Sequence, residues 1–324
     1  MTEVDVAIIG AGPCGLYGAY YAGFRGLSVA VLDALPQPGG QLAALYPEKQ
    51  IYDVAGFPSI KAQFLVDALV DQADQANPHY LLGHTAQTLD ITEDAVTIGT
   101  SEGAVVTAKV VLITGGIGRF TPRRMPNGAE YEGRGVRYVV PRLGELADRD
   151  VLIVGGGDSA VDWALNLENI TRSVTVVHRR PKFRAHEYSV RQLHSSTARV
   201  LTPFEVHQIH GDGQSVDKVE VVHVQTKETE TLRVDEIVAA LGFLTDLGPI
   251  PGWGLEMRNR RIQVDRSMRT SLPRVFAAGD IADYDGNVNL ISVGFGEAAL
   301  AVNNLMPLVN PGAPVVPGHS SDAE

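Results

Sequence analysis

Cys14 is the single cysteine in 324 residues. One thiol excludes an internal disulfide framework, a Cys-x-x-Cys redox centre and a cysteine-rich metal site. Because it sits inside a glycine-rich turn, Cys14 suits a small packed residue better than a reactive thiol. Long apolar runs are missing too. Stretches such as Val110-Val-Leu-Ile113 and Val151-Leu-Ile-Val154 fall far short of the roughly 18 residues of a membrane span. They suit buried parallel strands, and no transmembrane helix is expected. Positive charge is in deficit, with 27 Lys and Arg against 38 Asp and Glu and a net charge of −11. That balance argues against non-specific binding of nucleic acid while leaving room for local basic patches. The acidic start, Met1 to Asp5, lacks the basic region and apolar segment of a secretion signal, so a cytoplasmic location is expected.

Glycine, by contrast, is concentrated where it carries chemistry. Gly10-Ala-Gly12-Pro-Cys-Gly15 follows the apolar stretch Val4–Ile9 and precedes a helical pattern from Pro13 to about Arg25; Ser28–Leu32 reads as the next strand. The same order recurs half a chain later. Val151–Val154 leads into Gly155-Gly-Gly157-Asp-Ser-Ala160, a helix at about 158–168, and the strand Ser173–Val177. One such turn is a weak signal, but two in strand–turn–helix context imply two dinucleotides in one chain. The expected fold class is α/β, with two Rossmann-like dinucleotide-binding domains.

Between the units, Ala95–Ile98, Ala104–Thr107 and Lys109–Thr114 read as strands, and Gly118, Pro122 and Pro126 as a linker. Ile237–Gly242 and the Gly/Pro-rich stretch Gly248–Gly252 mark a second crossing. Arg274–Asp280 then returns to the first domain, followed by a helix from about Glu297 to Leu305 and a tail whose prolines, Pro307 among them, exclude a regular helix.

The two turns differ in their ligands. Gly10 allows the tight turn, Gly12 lets backbone approach a pyrophosphate, and Gly15 lets helix and strand pack closely. Asp33, 18 residues after Gly15, is placed to accept ribose hydroxyls and would repel a 2′-phosphate. Gly155, Gly157 and Ala160 repeat the cradle, but the following strand ends in His178-Arg179-Arg180, with Lys182 and Arg184 beyond. Guanidinium groups fork onto phosphate, so NADP is favoured over NAD there, the alternative being a solvated basic loop. Asp158 reads as a cap on its own helix.

Together the turns, His178–Arg180 and Ala277-Ala-Gly279-Asp280 resemble the two-dinucleotide flavoprotein family that includes thioredoxin reductase, over nearly the whole chain. The resemblance implies FAD in a discontinuous first domain, 1–118 with 246–324, and NADPH in an inserted domain, 119–245. It also implies that Asp280 contacts the flavin's ribityl or pyrophosphate portion, and that the helix start Gly294-Phe-Gly296-Glu297 faces the pyrimidine. Gly133-Arg-Gly-Val136, however, is not followed by the dithiol of thioredoxin reductases. With one cysteine, electrons cannot leave through an internal dithiol.

A narrower match fits this departure. Gly39-Gly-Gln-Leu-Ala-Ala-Leu-Tyr46-Pro-Glu-Lys49 and Ile51–Pro58 are similar to the thioredoxin-reductase-like ferredoxin/flavodoxin–NADP reductases. In that group Gln41 and Tyr46 would contact FAD, the Tyr ring stacking on the isoalloxazine, with Ala86 and Phe120 as further contacts. Pro317-Gly-His319-Ser320-Ser321 matches a C-terminal segment that would bring His319 onto the second ring face and Ser320 or Ser321 beside it.

The chemistry so implied is hydride transfer between NADP(H) and flavin, coupled to one-electron exchange with ferredoxin or flavodoxin. No general acid or base is required, and the scattered histidines read as surface or capping residues rather than metal ligands. Arg258–Arg261 and the Arg119–Arg124 stretch are candidates for steering an acidic carrier. A homodimer is implied by the resemblance alone. Alternatives are an NADPH-dependent flavoprotein acting on a small disulfide, a quinone or another acceptor, and a non-catalytic nucleotide-sensing module.

Overall fold

A computed structural model describes residues 2–317 of the protein; His319, Ser320 and Ser321 lie outside the described residues. The chain divides into two compact units, one of Met1–Ala44, Gln50–Arg119 and Thr245–Glu324, the other of Leu45–Lys49 and Phe120–Leu244. Each is α/β with a parallel sheet at its centre, in the Rossmann manner expected from the sequence.

In the first unit the strand order is His79–Leu82, Val29–Asp33, Thr2–Ile9, Val105–Ile113, Val96–Thr100, Ala86–Ile91, and Val275–Ala277 also pairs with Val105–Ile113. Thr2–Ile9 runs parallel to both neighbours, with Val6 opposite Val29 and Val110. From Val6 to Ile9 its side chains alternate between two dry faces, as parallel strands covered on both sides require. Val6 and Ile8 meet Leu16 of the helix Pro13–Phe24, Leu65 of Ala62–Asp74 and Leu305 of Ile291–Val309. Ala7 and Ile9 pack instead with Ile98, Ile250 and Ile262. Each fully buried aliphatic side chain of this kind contributes about 1.5–3 kcal/mol.

The second unit has a parallel sheet in the order Val136–Arg137, Glu236–Ala240, Asp150–Gly155, Ser173–Val177, Arg199–Leu201. The helix Asp158–Leu167 covers one face, burying Val161, Ala164 and Leu167 against Val151 and Ile153. The other face packs Leu152 and Val154 against a three-stranded antiparallel sheet, Phe204–Gly211, Val216–His223 and Thr229–Arg233.

Three differences from the sequence reading have physical causes. Ala104–Thr107 and Lys109–Thr114 form one strand, Val105–Ile113, because Lys109 keeps its charge out of the core by pairing with Asp5 at 2.8 Å. The last helix begins at Ile291, not Glu297, and runs through Pro307 to Val309. Pro307 falls in the final two turns, and the buried stripe Ala298, Ala301, Val302, Leu305 and Val309 outweighs its one missing N–H. The antiparallel sheet was not foreseen, since its strands are polar on the exposed face. Among the described residues no helix is long and apolar enough to cross a membrane.

Candidate functional site

The first glycine turn is built by close approach. Gly10 has φ +116°, and a Cβ there would lie 2.6 Å from the Thr114 carbonyl oxygen. A Cβ on Gly15 would lie 1.8 Å from the Gly10 oxygen, so the helix seats directly on the turn. Gly12 is different, with nothing within 4 Å of its missing Cβ. It is also the N-cap of Pro13–Phe24 and brings no side-chain acceptor. The first-turn amides are thus left for an anion on the open side.

Asp33 ends the second strand and ties the turn down. One carboxylate oxygen accepts the Ala11 N–H at 2.6 Å and the other the Leu35 N–H at 2.8 Å. Burial pushes its pKa up, and these two amides pull it back. Each oxygen retains acceptor capacity for a hydroxyl. Gly39 donates to the Ala11 oxygen at 2.8 Å, bringing the short helix Gly40–Leu45 with Gln41 up to the turn. Ala86 is buried at the start of its strand, and the loop before it is tied to Asp33 by the His84 N–H at 2.9 Å.

Asp280 stands in the 3-10 turn Gly279–Ile281, directly after the strand Val275–Ala277. Among the described residues its carboxylate has no hydrogen-bond partner; burial pushes its pKa up and the charge of Arg261 lowers it. Glu297, read from the sequence as part of a helix start, is instead a buried acceptor one turn and a half into the helix. Its two oxygens take the Gly279 N–H and the Tyr284 hydroxyl, each at 2.6 Å. Cys14 completes the packing: its thiol donates to the Gly294 oxygen at 3.2 Å, and burial beside Glu297 and Asp280 pushes its pKa up. The raised pKa keeps the thiol in its protonated, weakly nucleophilic form.

The second turn repeats the plan. A Cβ on Gly155 would lie 2.3 Å from the Ala240 oxygen and 3.0 Å from the Ala160 Cβ, while Gly157 is open and is the uncapped N-cap of Asp158–Leu167. Asp158 does not cap its own helix. Its carboxylate accepts the His186 N–H at 2.9 Å, reaching to the residue that opens the helix Glu187–Ser195. Arg179, Arg180 and Arg184 line a cleft of about 960 Å³ beside the turn, and among the described residues their guanidinium groups make no ion pair. His178 also borders the cleft but is buried, 8% exposed, with its ring behind Gly156 and stacked on Phe183 at 5.2 Å. Burial and the charges of Arg180, Arg179 and Arg184 hold its pKa down.

Tyr46 belongs to the second unit. Its hydroxyl is 3.0 Å from the Ser159 hydroxyl and its ring 5.9 Å from that of Trp163. The flanking residues fix the segment: Lys49 pairs with Asp162 at 2.6 Å and Glu48 accepts the Leu143 N–H at 2.6 Å. Phe120 stands edge-on to Phe243, 6.0 Å away. Gln41, Ala86 and Asp280 lie in the first unit, and Tyr46 and Phe120 in the second. Sequence reasoning missed Ser159, Trp163 and Gly156. A hydroxyl one residue after Asp158, in the glycine-rich turn, is the only signal that pointed to the first.

Of the basic stretches, Arg258 is neutralised by Asp283 at 2.5 Å and Asp285 at 3.2 Å. Arg261 bonds Asn289 and Arg119 bonds Thr85. Arg124 makes a long pair with Glu132 at 3.7 Å.

Residues 4–302 match the pyridine nucleotide-disulphide oxidoreductase family. The chain is 56% identical to a ferredoxin–NADP reductase of Frankia alni, over 97% of this chain and 98% of that protein. It is 50% identical to a ferredoxin–NADP reductase of Thermus thermophilus, over 99% and 97% of the two chains. The thioredoxin reductase of T. acidophilum superposes with a TM-score of 0.81 at 28% identity, covering 94% of this chain and 98% of that one. The Lactococcus lactis thioredoxin reductase does so with a TM-score of 0.79 at 26% identity, covering 94% and 99%.

Proposed function

The chain belongs to the pyridine nucleotide-disulphide oxidoreductase family, and on that premise we propose that it is an FAD-dependent ferredoxin–NADP reductase. It moves reducing equivalents between NADP(H) and a ferredoxin or flavodoxin. The observation that carries the reading is Cys14. A family named for disulphide chemistry is represented here by a chain with one cysteine, and that thiol is half-buried within the first turn and donates to Gly294. Reducing equivalents therefore leave from the flavin itself, as the names of the full-length relatives lead one to expect.

The first unit would hold FAD. Gly12 offers the open, uncapped helix start for the pyrophosphate, Asp33 retains acceptors for the ribose, and Asp280, without a hydrogen-bond partner among the described residues, suits the ribityl hydroxyls. The second unit would hold NADP(H), with Gly155, Gly157 and Ala160 at the pyrophosphate and Arg179 and Arg180 on the 2′-phosphate. When bound, FAD supplies the hydride-accepting ring that links a two-electron nicotinamide to a one-electron carrier. The chain's own residues then bind and orient; no side chain is asked to move a proton. His319 and Ser321 are assigned to the flavin by the resemblance of their segment. A homodimer completes the reading on the same ground, and a cytoplasmic location is proposed with it.

Anaerobic titration with NADPH followed by addition of ferredoxin tests it. The yellow protein should bleach and regain colour on adding oxidised ferredoxin or flavodoxin. Failure with both carriers, together with turnover of a small disulfide or a quinone, would replace this reading by the alternative acceptor; failure to bleach would leave a sensing module.

A further inference from the structure

His178 opens the basic loop that is taken above as the site of the 2′-phosphate, yet its ring does not share the setting of its neighbours. Arg179 and Arg180 are exposed on the cleft, whereas His178 is 8% exposed. One face of the imidazole fills the space where Gly156 has no side chain. A Cβ on Gly156 would lie 2.3 Å from both Cε1 and Nδ1 of the ring, and 2.5 Å from Cγ. The other side of the ring stacks on Phe183 at 5.2 Å and 29°, and Phe183 is itself backed edge-on by His194 at 6.1 Å. The remaining nitrogen, Nε2, lies 3.3 Å from the Lys182 oxygen. Both faces and the outer edge of the ring are thus taken up by protein.

The backbone closes the same contact. Gly156 passes its carbonyl to the Arg184 N–H at 2.7 Å, and the His178 N–H is held by the Leu201 oxygen at 3.0 Å. The glycine turn and the loop from His178 to Arg184 are therefore clamped together at two points, one the ring contact and one the Gly156–Arg184 hydrogen bond. A dinucleotide with a 2′-phosphate must touch the turn with its pyrophosphate and the arginines with its far phosphate. The distance between those two subsites is set by whatever fills the gap behind Gly156.

We propose that His178 is a positioning residue and not a phosphate ligand: its ring is the spacer that fixes the glycine turn of the second unit against the loop carrying Arg179, Arg180 and Arg184. The inference rests on the reading of that unit as the NADP(H) site. It makes Gly156 a second requirement of the motif, since the middle glycine exists to receive the ring. It also gives a sharp contrast. A ligand of the 2′-phosphate serves NADP alone, whereas a spacer behind the pyrophosphate turn serves NADP and NAD alike.

The test is calorimetric binding of NADP⁺ and NAD⁺ to the purified holoenzyme, compared across variants. His178→Ala should weaken both coenzymes by a similar factor, about tenfold. His178→Phe keeps a flat ring and removes every nitrogen; it should leave the preference for NADP⁺ unchanged, and it serves should the alanine variant not fold. Gly156→Ala should weaken both coenzymes, and Gly156→Ala with His178→Ala should bind more tightly than Gly156→Ala alone, because the added methyl then meets empty space. A selective loss of NADP⁺ in His178→Phe, or no recovery in the double variant, overturns the proposal. Arg179→Ala with Arg180→Ala separates it from the reading beneath: if that pair leaves the preference for NADP⁺ intact, the phosphate assignment fails while the equal weakening by His178→Ala still supports the spacer.

Discussion

The Tyr46 hydroxyl lies 3.0 Å from that of Ser159, in the first turn of the helix Asp158–Leu167. A tyrosine assigned by resemblance to a flavin ring thus has its hydroxyl at the start of the second nucleotide helix. Tyr46→Phe removes one neutral hydrogen bond worth about 0.5–1.5 kcal/mol. It should lower NADPH affinity by no more than about tenfold and leave the visible spectrum unchanged. Tyr46→Ala removes the ring as well, and should shift the flavin bands and lower the melting temperature of the holoenzyme. An unaltered spectrum in Tyr46→Ala would mean that the ring does not stack on flavin.

Arg179 and Arg180 border the cleft without an ion pair among the described residues. Each is free to make charge-assisted bonds worth about 1.5–3 kcal/mol. Replacing both by alanine should weaken NADPH by a factor between about 10² and 10⁴, and NADH by less than about threefold. Raised ionic strength should narrow that gap, since these side chains are exposed. Equal losses for the two coenzymes would remove the phosphate assignment.

What could be read in the sequence was what repeats with a short period. Strand, glycine turn and helix follow each other within a few residues at Gly10 and at Gly155, so local pattern and tertiary role coincide, and the fold class followed. The place of Asp33 at the end of the second strand was legible for the same reason, lying at a set distance along the chain from its turn. The misses depend on contacts between distant segments. Glu297 reads as part of a helix start until Gly279 and Tyr284 are brought to it. His178 reads as the third member of a basic triplet until the ring is found behind Gly156. Ser159 gave no sign that Tyr46 would reach it across more than a hundred residues.

Glu297 offers a check on the first unit that does not depend on its ligand. Its buried carboxylate accepts from Gly279 and Tyr284 at 2.6 Å each. Glutamine can accept from one of them but turns an N–H₂ toward the other. Glu297→Gln should therefore cost about 1.5–3 kcal/mol of stability, seen as a lower midpoint in urea. The Tyr284 phenol, pushed up to about 12 by burial and by Glu297, should titrate closer to 10 in the variant. An ultraviolet difference titration against the parent protein reads that change, and an unshifted phenol would separate Tyr284 from Glu297.

Asp280 sets an expected pH dependence. Burial holds its pKa above the ordinary 3.8, with Arg261 opposing. The folded apoprotein then binds this proton more tightly than the unfolded chain does. The resulting stabilisation is complete below 3.8 and is lost as pH rises through the folded value. Hydroxyl donors from a bound ligand favour the charged carboxylate and move its pKa back down. Flavin binding should accordingly release a proton, and its affinity for the apoprotein should strengthen as pH rises from about 4 through the raised pKa. Asp280→Asn carries no such proton, so its affinity should be lower at neutral pH and flatter across the acid range. Reconstitution of the apoprotein with FAD, followed by flavin fluorescence at several pH values, measures both slopes. Parallel slopes in parent and variant would show that the carboxylate does not meet the flavin's hydroxyls.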